Sequence, residues 1–195
     1  HPPHGVNYRA NLWLLKFLGI TKVIACNVVG GINDNMPPRT LLVPHQIIDY
    51  TWGREHTFFD GKNTAMQGVE HIDFTHPYSE ALRQRMLSFF EQANIAHLNY
   101  GTYACTQGPR LETAAEIQRL ENDGCDVVGM TAMPEAALAR ELAIDYASLS
   151  LVVNWAPGLA EEELSMDLIM QLVSSEMEKV CNFLPDLIKF LELDH

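Results

Sequence analysis

The feature that most constrains this 195-residue chain is a repeated change of hydrophobic period, from short apolar runs suited to strands to stretches spaced like helices. Asn7 to Leu18 places Leu12, Leu15 and Leu18 at helical spacing, with Gly19 where a helix C-terminus favours a left-handed residue. Lys22 to Val29 is β-branched and apolar and is closed by Gly30-Gly31, which predicts a buried strand ending in a tight turn. A second short strand is expected around Leu41 to Val43. Ser79 to Ala93 returns to helical spacing through Leu82, Met86, Phe89 and Phe90, and His97 to Cys105 alternates as a strand does. Two further rounds follow: helix Thr113 to about Asn122, strand Asp126 to Met130, helix Pro134 to Leu142, strand Tyr146 to Asn154. A last helix is expected from about Met166 to Phe183, with Pro185 interrupting the pattern.

Strands alternating with helices predict an α/β fold: a mainly parallel central sheet covered by helices, with its site at the carboxyl ends of the strands. The length suits a single domain spanning residues 1–195. From Thr51 to His76 the chain is rich in Gly, Asp, Asn, His and aromatics without a period, which reads as a long loop of the kind that often carries function.

Bulk properties narrow the function. A hydrophobic fraction of 47% without a bilayer-length apolar run predicts a soluble protein and no membrane partner. The formal net charge of −12 opposes sequence-independent nucleic-acid binding, which depends on Lys and Arg. Cys26, Cys105, Cys125 and Cys181 are dispersed without a CxxC pair, so free thiols in a reducing cytoplasm fit better than a zinc site or a disulfide framework. The opening His1-Pro2-Pro3-His4-Gly5 has no charged-then-apolar leader. His71 and His76, with Glu70 and Asp73, raise a metal-dependent hydrolase as an alternative, although their spacing matches no familiar zinc pattern.

Residues with chemical potential fall just beyond the predicted strands. Asn27-Val28-Val29-Gly30-Gly31 would expose backbone N–H groups to an anion or let a flat ligand approach, or would simply turn. In Thr106-Gln107-Gly108-Pro109-Arg110-Leu111-Glu112-Thr113, Glu112 is either a site carboxylate or a favourable charge at a helix start, while Thr113 to Glu116 fits a capping box. Thr131, in Gly129-Met130-Thr131-Ala132-Met133-Pro134-Glu135, lies near helix N–H groups suited to a phosphate oxygen, or caps that helix. Asn154 ends an apolar strand with an amide that can both donate and accept, as a heterocycle requires, or as a turn requires before Trp155 and Pro157.

In this order, Asn27 to Gly31, Gln107 to Thr113, Gly129 to Glu135 and Val153-Asn154 resemble the trimeric purine nucleoside phosphorylase family. Val6-Asn7-Tyr8-Arg9-Ala10-Asn11 and the His71 region resemble its methylthionucleoside branch. The resemblance implies that inorganic phosphate attacks the anomeric carbon of a purine nucleoside through an oxocarbenium-like sugar, with no metal and no organic cofactor. It implies phosphate contacts at Asn27, the Val28 backbone and Thr131. Gly30 would lie against the nucleoside and Met130 on the ribose, with Leu111, Glu112 and Asn154 on the purine side.

The match also implies a substrate. Methylthioadenosine phosphorylases carry aspartate where this chain has Asn154, whereas an amide N–H suits a 6-oxo group or the adjoining ring nitrogen as charge builds there. Met166 stands where ordinary purine nucleoside phosphorylases place a histidine for the 5′-hydroxyl, and Met166, Ile169 and Met170 share one apolar helical face suited to a methylthio group. Together they point to methylthioinosine, ahead of methylthioadenosine or inosine and guanosine. His71 matches a residue supplied to a neighbouring sugar pocket, which implies a homotrimer. The family's opening strand, Gly-rich turn and Arg-His phosphate clamp have no counterpart in these residues. The chain by itself is therefore expected to show little phosphorolysis, and a nucleoside-binding protein is the non-enzymatic alternative.

Overall fold

The structure, a computed structural model, describes residues 1–61, 66–160 and 165–192. Helix α1 (Tyr8–Phe17) starts at Asn7, whose side chain accepts the Ala10 N–H at 3.0 Å. There follow β1 (Lys22–Gly31), β2 (Leu41–Leu42), β3 (Gln46–Asp49), α2 (Glu80–Gln92), β4 (Thr102–Cys105), α3 (Ala114–Asn122), β5 (Val127–Gly129), α4 (Ala132–Glu141), β6 (Asp145–Trp155) and α5 (Met166–Glu192). Among the described residues no helix is long and apolar enough to cross a membrane.

The strands form one sheet in the order β2-β6-β1-β5-β4-β3. β1/β6, β4/β5 and β3/β4 are parallel, whereas β2/β6 and β1/β5 are antiparallel. The expected α/β class holds, as a mixed and mostly parallel sheet. β6 reads as an unbroken apolar strand because both of its faces are covered: Tyr146 and Val152 join the core with α1 and α4, while Ala147 and Leu149 join the core with α2 and α5. A third cluster seats Ile117 and Leu120 of α3 with Ala104 and Val128.

Three expectations change, and one strand is added. Gly30-Gly31 is no turn but the last part of β1, which bulges between Val29 and Gly30 and then runs antiparallel beside β5. Glycine is needed there for close approach, since a Cβ on Gly31 would collide with the Met36 carbonyl oxygen. The strand expected over His97 to Cys105 shortens to Thr102–Cys105, with Leu98 making only an isolated bridge to Leu42. β3 has too few residues to show a period and forms because β4 offers it a parallel edge. Finally, α5 continues through Pro185 to Glu192. Leu187 and Leu191 are buried in the α2–α5 core, and their packing outweighs the roughly 3 kcal/mol that an interior proline costs.

Candidate active site

The strand ends meet in a crossing rather than in a parallel row. Gly30 pairs with Asn154 of β6 on one side and Val128 of β5 on the other. A Cβ built on Gly30 would lie 3.2 Å from Asn154 Nδ2, so the glycine brings the β1 backbone directly against that amide. Asn154 is half-buried and belongs to β6, not to a turn. Its Nδ2 donates to the Trp155 carbonyl at 2.6 Å, which orients the amide and leaves its second hydrogen and its oxygen for a ligand.

The loop after β4 is tied to the same place. The Thr106 N–H donates to the Gly129 carbonyl at 2.8 Å, and the Thr106 hydroxyl donates to Glu112 Oε1 at 2.7 Å. Glu112 takes no part in starting α3. Thr113 and Glu116 form the expected capping box, and Arg110 chiefly holds the Glu116 carboxyl down to about 2. The half-buried Glu112 carboxylate instead keeps a second oxygen beyond its bond to Thr106. A cavity of about 340 Å³ lined by Tyr50, Trp52, Thr106, Gln107 and Glu112 opens beside it. Met130 is half-buried with its sulfur packed on Gly108, where φ is +59° and any Cβ would meet that sulfur.

On the other flank, Thr131 occupies the N-cap position of α4, yet its exposed side chain makes no cap bond, so capping does not explain it. Its N–H reaches the buried Tyr103 hydroxyl at 3.4 Å. Asn27 is turned toward β6: its Nδ2 donates to Ser148 Oγ at 2.7 Å and its Oδ1 accepts from Ser150 Oγ at 2.8 Å. One amide hydrogen and the backbone are what it retains for an anion. Val28 beside it is 40% exposed.

Other expected site residues stay apart. Met166 and Met170 are exposed at the start of α5, Ile169 is half-buried, and none of the three joins a core cluster, so core packing does not account for their apolar face. Leu111 is exposed on the rim of the β4 loop. His71 is exposed within the long segment between β3 and α2. Among the described residues no group of three or more His, Cys, Asp or Glu side chains is placed to hold a metal. A cavity of about 770 Å³ lined by His45, His76, Arg83 and Arg140 lies at the opposite, Asp145 end of β6.

Two structural features of this region escaped sequence reading. Thr106, whose hydroxyl holds Glu112, carries no distinguishing signal in the sequence. Arg54, in the aperiodic segment, is only 6% exposed and bonds both loops that carry Glu112 and Thr131, although no spacing in the sequence marks it. Behind the rim, Glu135 accepts the Tyr146 hydroxyl at 2.7 Å, and burial raises its carboxyl above the usual range against the effect of that bond.

The phosphorylase superfamily profile matches residues 2–189. The chain is 54% identical over 179 residues, 92% of its length and 72% of the relative's, to a probable S-methyl-5'-thioinosine phosphorylase of Pseudomonas syringae pv. tomato. It is 41% identical over 181 residues, covering 92% of this chain and 68% of the relative, to a 6-oxopurine nucleoside phosphorylase of Pyrococcus furiosus. The structure superimposes on a methylthioadenosine phosphorylase from Schistosoma mansoni in complex with adenine with a TM-score of 0.93 and 29% identity, covering all of this chain and 73% of that one.

Proposed function

The chain belongs to the phosphorylase superfamily, and from that membership we propose that it cleaves a 6-oxopurine methylthionucleoside with phosphate, converting methylthioinosine to hypoxanthine and methylthioribose-1-phosphate in purine salvage. The observation that carries this reading is the juxtaposition at the strand crossing: the Asn154 amide against Gly30, with Glu112 held by Thr106 across β5. A 6-oxopurine presents an acceptor oxygen and a ring N–H, which complement an amide donor and a carboxylate acceptor. As phosphate oxygen bonds to the anomeric carbon, the glycosidic electron pair leaves on the base. The Asn154 N–H then stabilises that growing negative charge, which is where a fixed donor contributes most.

Asn27, the Val28 backbone and Thr131 contribute to the phosphate pocket in this reading, and Gly30, Met130 and Leu111 line the nucleoside. Met166, Ile169 and Met170 receive the methylthio group through soft apolar contact. Inorganic phosphate is a co-substrate, and neither metal nor organic cofactor takes part. The protein acts in the cytoplasm as a homotrimer. His71 reaches a neighbouring sugar pocket, and Trp13, Leu14, Phe17 and Leu18 give α1 an exposed apolar face of the kind that subunit contacts cover.

The test is a phosphate-dependent assay of the full-length protein on methylthioinosine, methylthioadenosine and inosine. A preference for methylthioinosine is expected. Preference for methylthioadenosine overturns the reading of Asn154, and hypoxanthine binding without turnover in phosphate favours a binding protein. A general 6-oxopurine nucleoside phosphorylase is the second reading, favoured by the likeness to the Pyrococcus furiosus enzyme, and equal rates on inosine would select it.

A further inference from the structure

The Arg54 guanidinium has five N–H donors, and all five go to the two segments of the proposed site, the loop after β4 and the stretch from the end of β5 into α4. Nε donates to Gln107 Oε1 at 3.3 Å, Nη2 to the carbonyls of Thr106 at 3.1 Å and Gln107 at 2.9 Å, and Nη1 to the carbonyls of Met130 at 2.9 Å and Met133. The first three bonds end on the loop after β4, the fourth on the turn after β5 and the fifth on the start of α4. Every acceptor is a neutral oxygen. The face of the guanidinium lies 5.8 Å from the centre of the Tyr8 ring, whose hydroxyl is occupied by the Pro3 carbonyl.

We propose that Arg54 is a positioning residue that fixes the separation of the purine-side carboxylate from the phosphate-side threonine, a role resting on the functional reading above. The links are short. Thr106, whose carbonyl Arg54 holds, carries the hydroxyl that orients Glu112. Thr131 follows Met130, whose carbonyl Arg54 also holds, and a planar peptide places the Thr131 N–H opposite that carbonyl. A flat fork with fixed donor angles constrains both loops at once. Lysine, with three donors on one nitrogen, cannot span them. Because the bonds are charge-assisted and made by an arginine that is only 6% exposed, they also polarise the peptides they hold.

A spacer of this kind has a distinctive signature. Each loop would still bind its own fragment of substrate when the fork is lost, whereas reaction across the two loops would suffer, because misplacement by about 1 Å costs about 100-fold in rate. For Arg54→Lys and Arg54→Gln in the full-length protein, kcat/KM for methylthioinosine is expected to fall about 100-fold. The separate affinities for hypoxanthine and inorganic phosphate should change by less than about threefold. Gln107→Leu removes only the Nε acceptor and the partner of the Trp52 N–H, and about a tenfold fall is expected with the fold intact. In Arg54→Ala, added guanidinium should restore turnover saturably.

Turnover by the Arg54 and Gln107 variants within about threefold of the unsubstituted protein overturns the inference. So does a loss of turnover matched by equal losses in both fragment affinities and in thermal stability, since that pattern marks a merely structural arginine. Absence of turnover by the unsubstituted protein overturns the functional reading instead, and this inference with it.

Discussion

The two flanks of the strand crossing are built differently. On the proposed purine side each polar group is already held by a neighbour: Glu112 by the Thr106 hydroxyl, Asn154 by the Trp155 carbonyl, and the supporting Gln107 by the Trp52 N–H and Arg54. On the proposed phosphate side Thr131 and Val28 are exposed, and most of the Asn27 side chain is engaged by Ser148 and Ser150. In the proposed reaction, specificity and charge stabilisation would then fall to preorganised groups. A fixed donor loses nothing to reorganisation as charge develops, so the purine side should carry the larger kinetic effects.

The sharpest way to break that contrast is Asn154→Ala, for which kcat/KM on methylthioinosine is expected to fall about 100- to 1,000-fold. Asn154→Asp should move preference toward methylthioadenosine, as read by the ratio of the two kcat/KM values. Thr131→Ala is expected to cost about tenfold, seen mainly as a higher KM for phosphate with base affinity unchanged. If Thr131→Ala costs as much as Asn154→Ala, the asymmetry between the flanks is wrong.

Two smaller effects sharpen the comparison by lying outside the proposed contacts. Burial raises the Glu135 carboxyl, so the folded state holds that proton more tightly than the unfolded chain. Its contribution to stability is therefore present below the unfolded pKa and is lost as pH rises through the raised folded value. Denaturant titrations across that interval should show a flatter pH dependence for Glu135→Gln than for the unsubstituted protein. Thr113→Ala removes the α3 cap and should cost about 1 kcal/mol of stability in the same titrations, with kcat/KM unchanged, because Glu112 is held by Thr106 rather than by the helix start.

Much of this was legible in the chain itself. The capping box at Thr113 and Glu116, the helix after Asn7 and the buried strand before Asn154 are local features, set by periods and hydrogen-bonding groups within a few residues of one another. Gly30-Gly31 was visible as an anomaly but read as a turn, because glycine permits a turn and a close approach equally and only a neighbour distinguishes them. β3 and the end of α5 were hidden for the same reason: one exists through its pairing with β4 and the other through leucines packed against α2.

The amino-acid sequence by itself determined the α/β class, the strand-end placement of the chemical groups and the family that their order identifies. Tertiary structure alone decided that β1 crosses β5 antiparallel, that Asn154 faces Gly30, that Thr106 rather than a helix holds Glu112, and that Arg54 bonds two loops more than fifty residues away in the chain. Periodicity reports which face of an element avoids water. Contacts between distant segments depend on the packed geometry of the whole sheet, and no local pattern of residues encodes them.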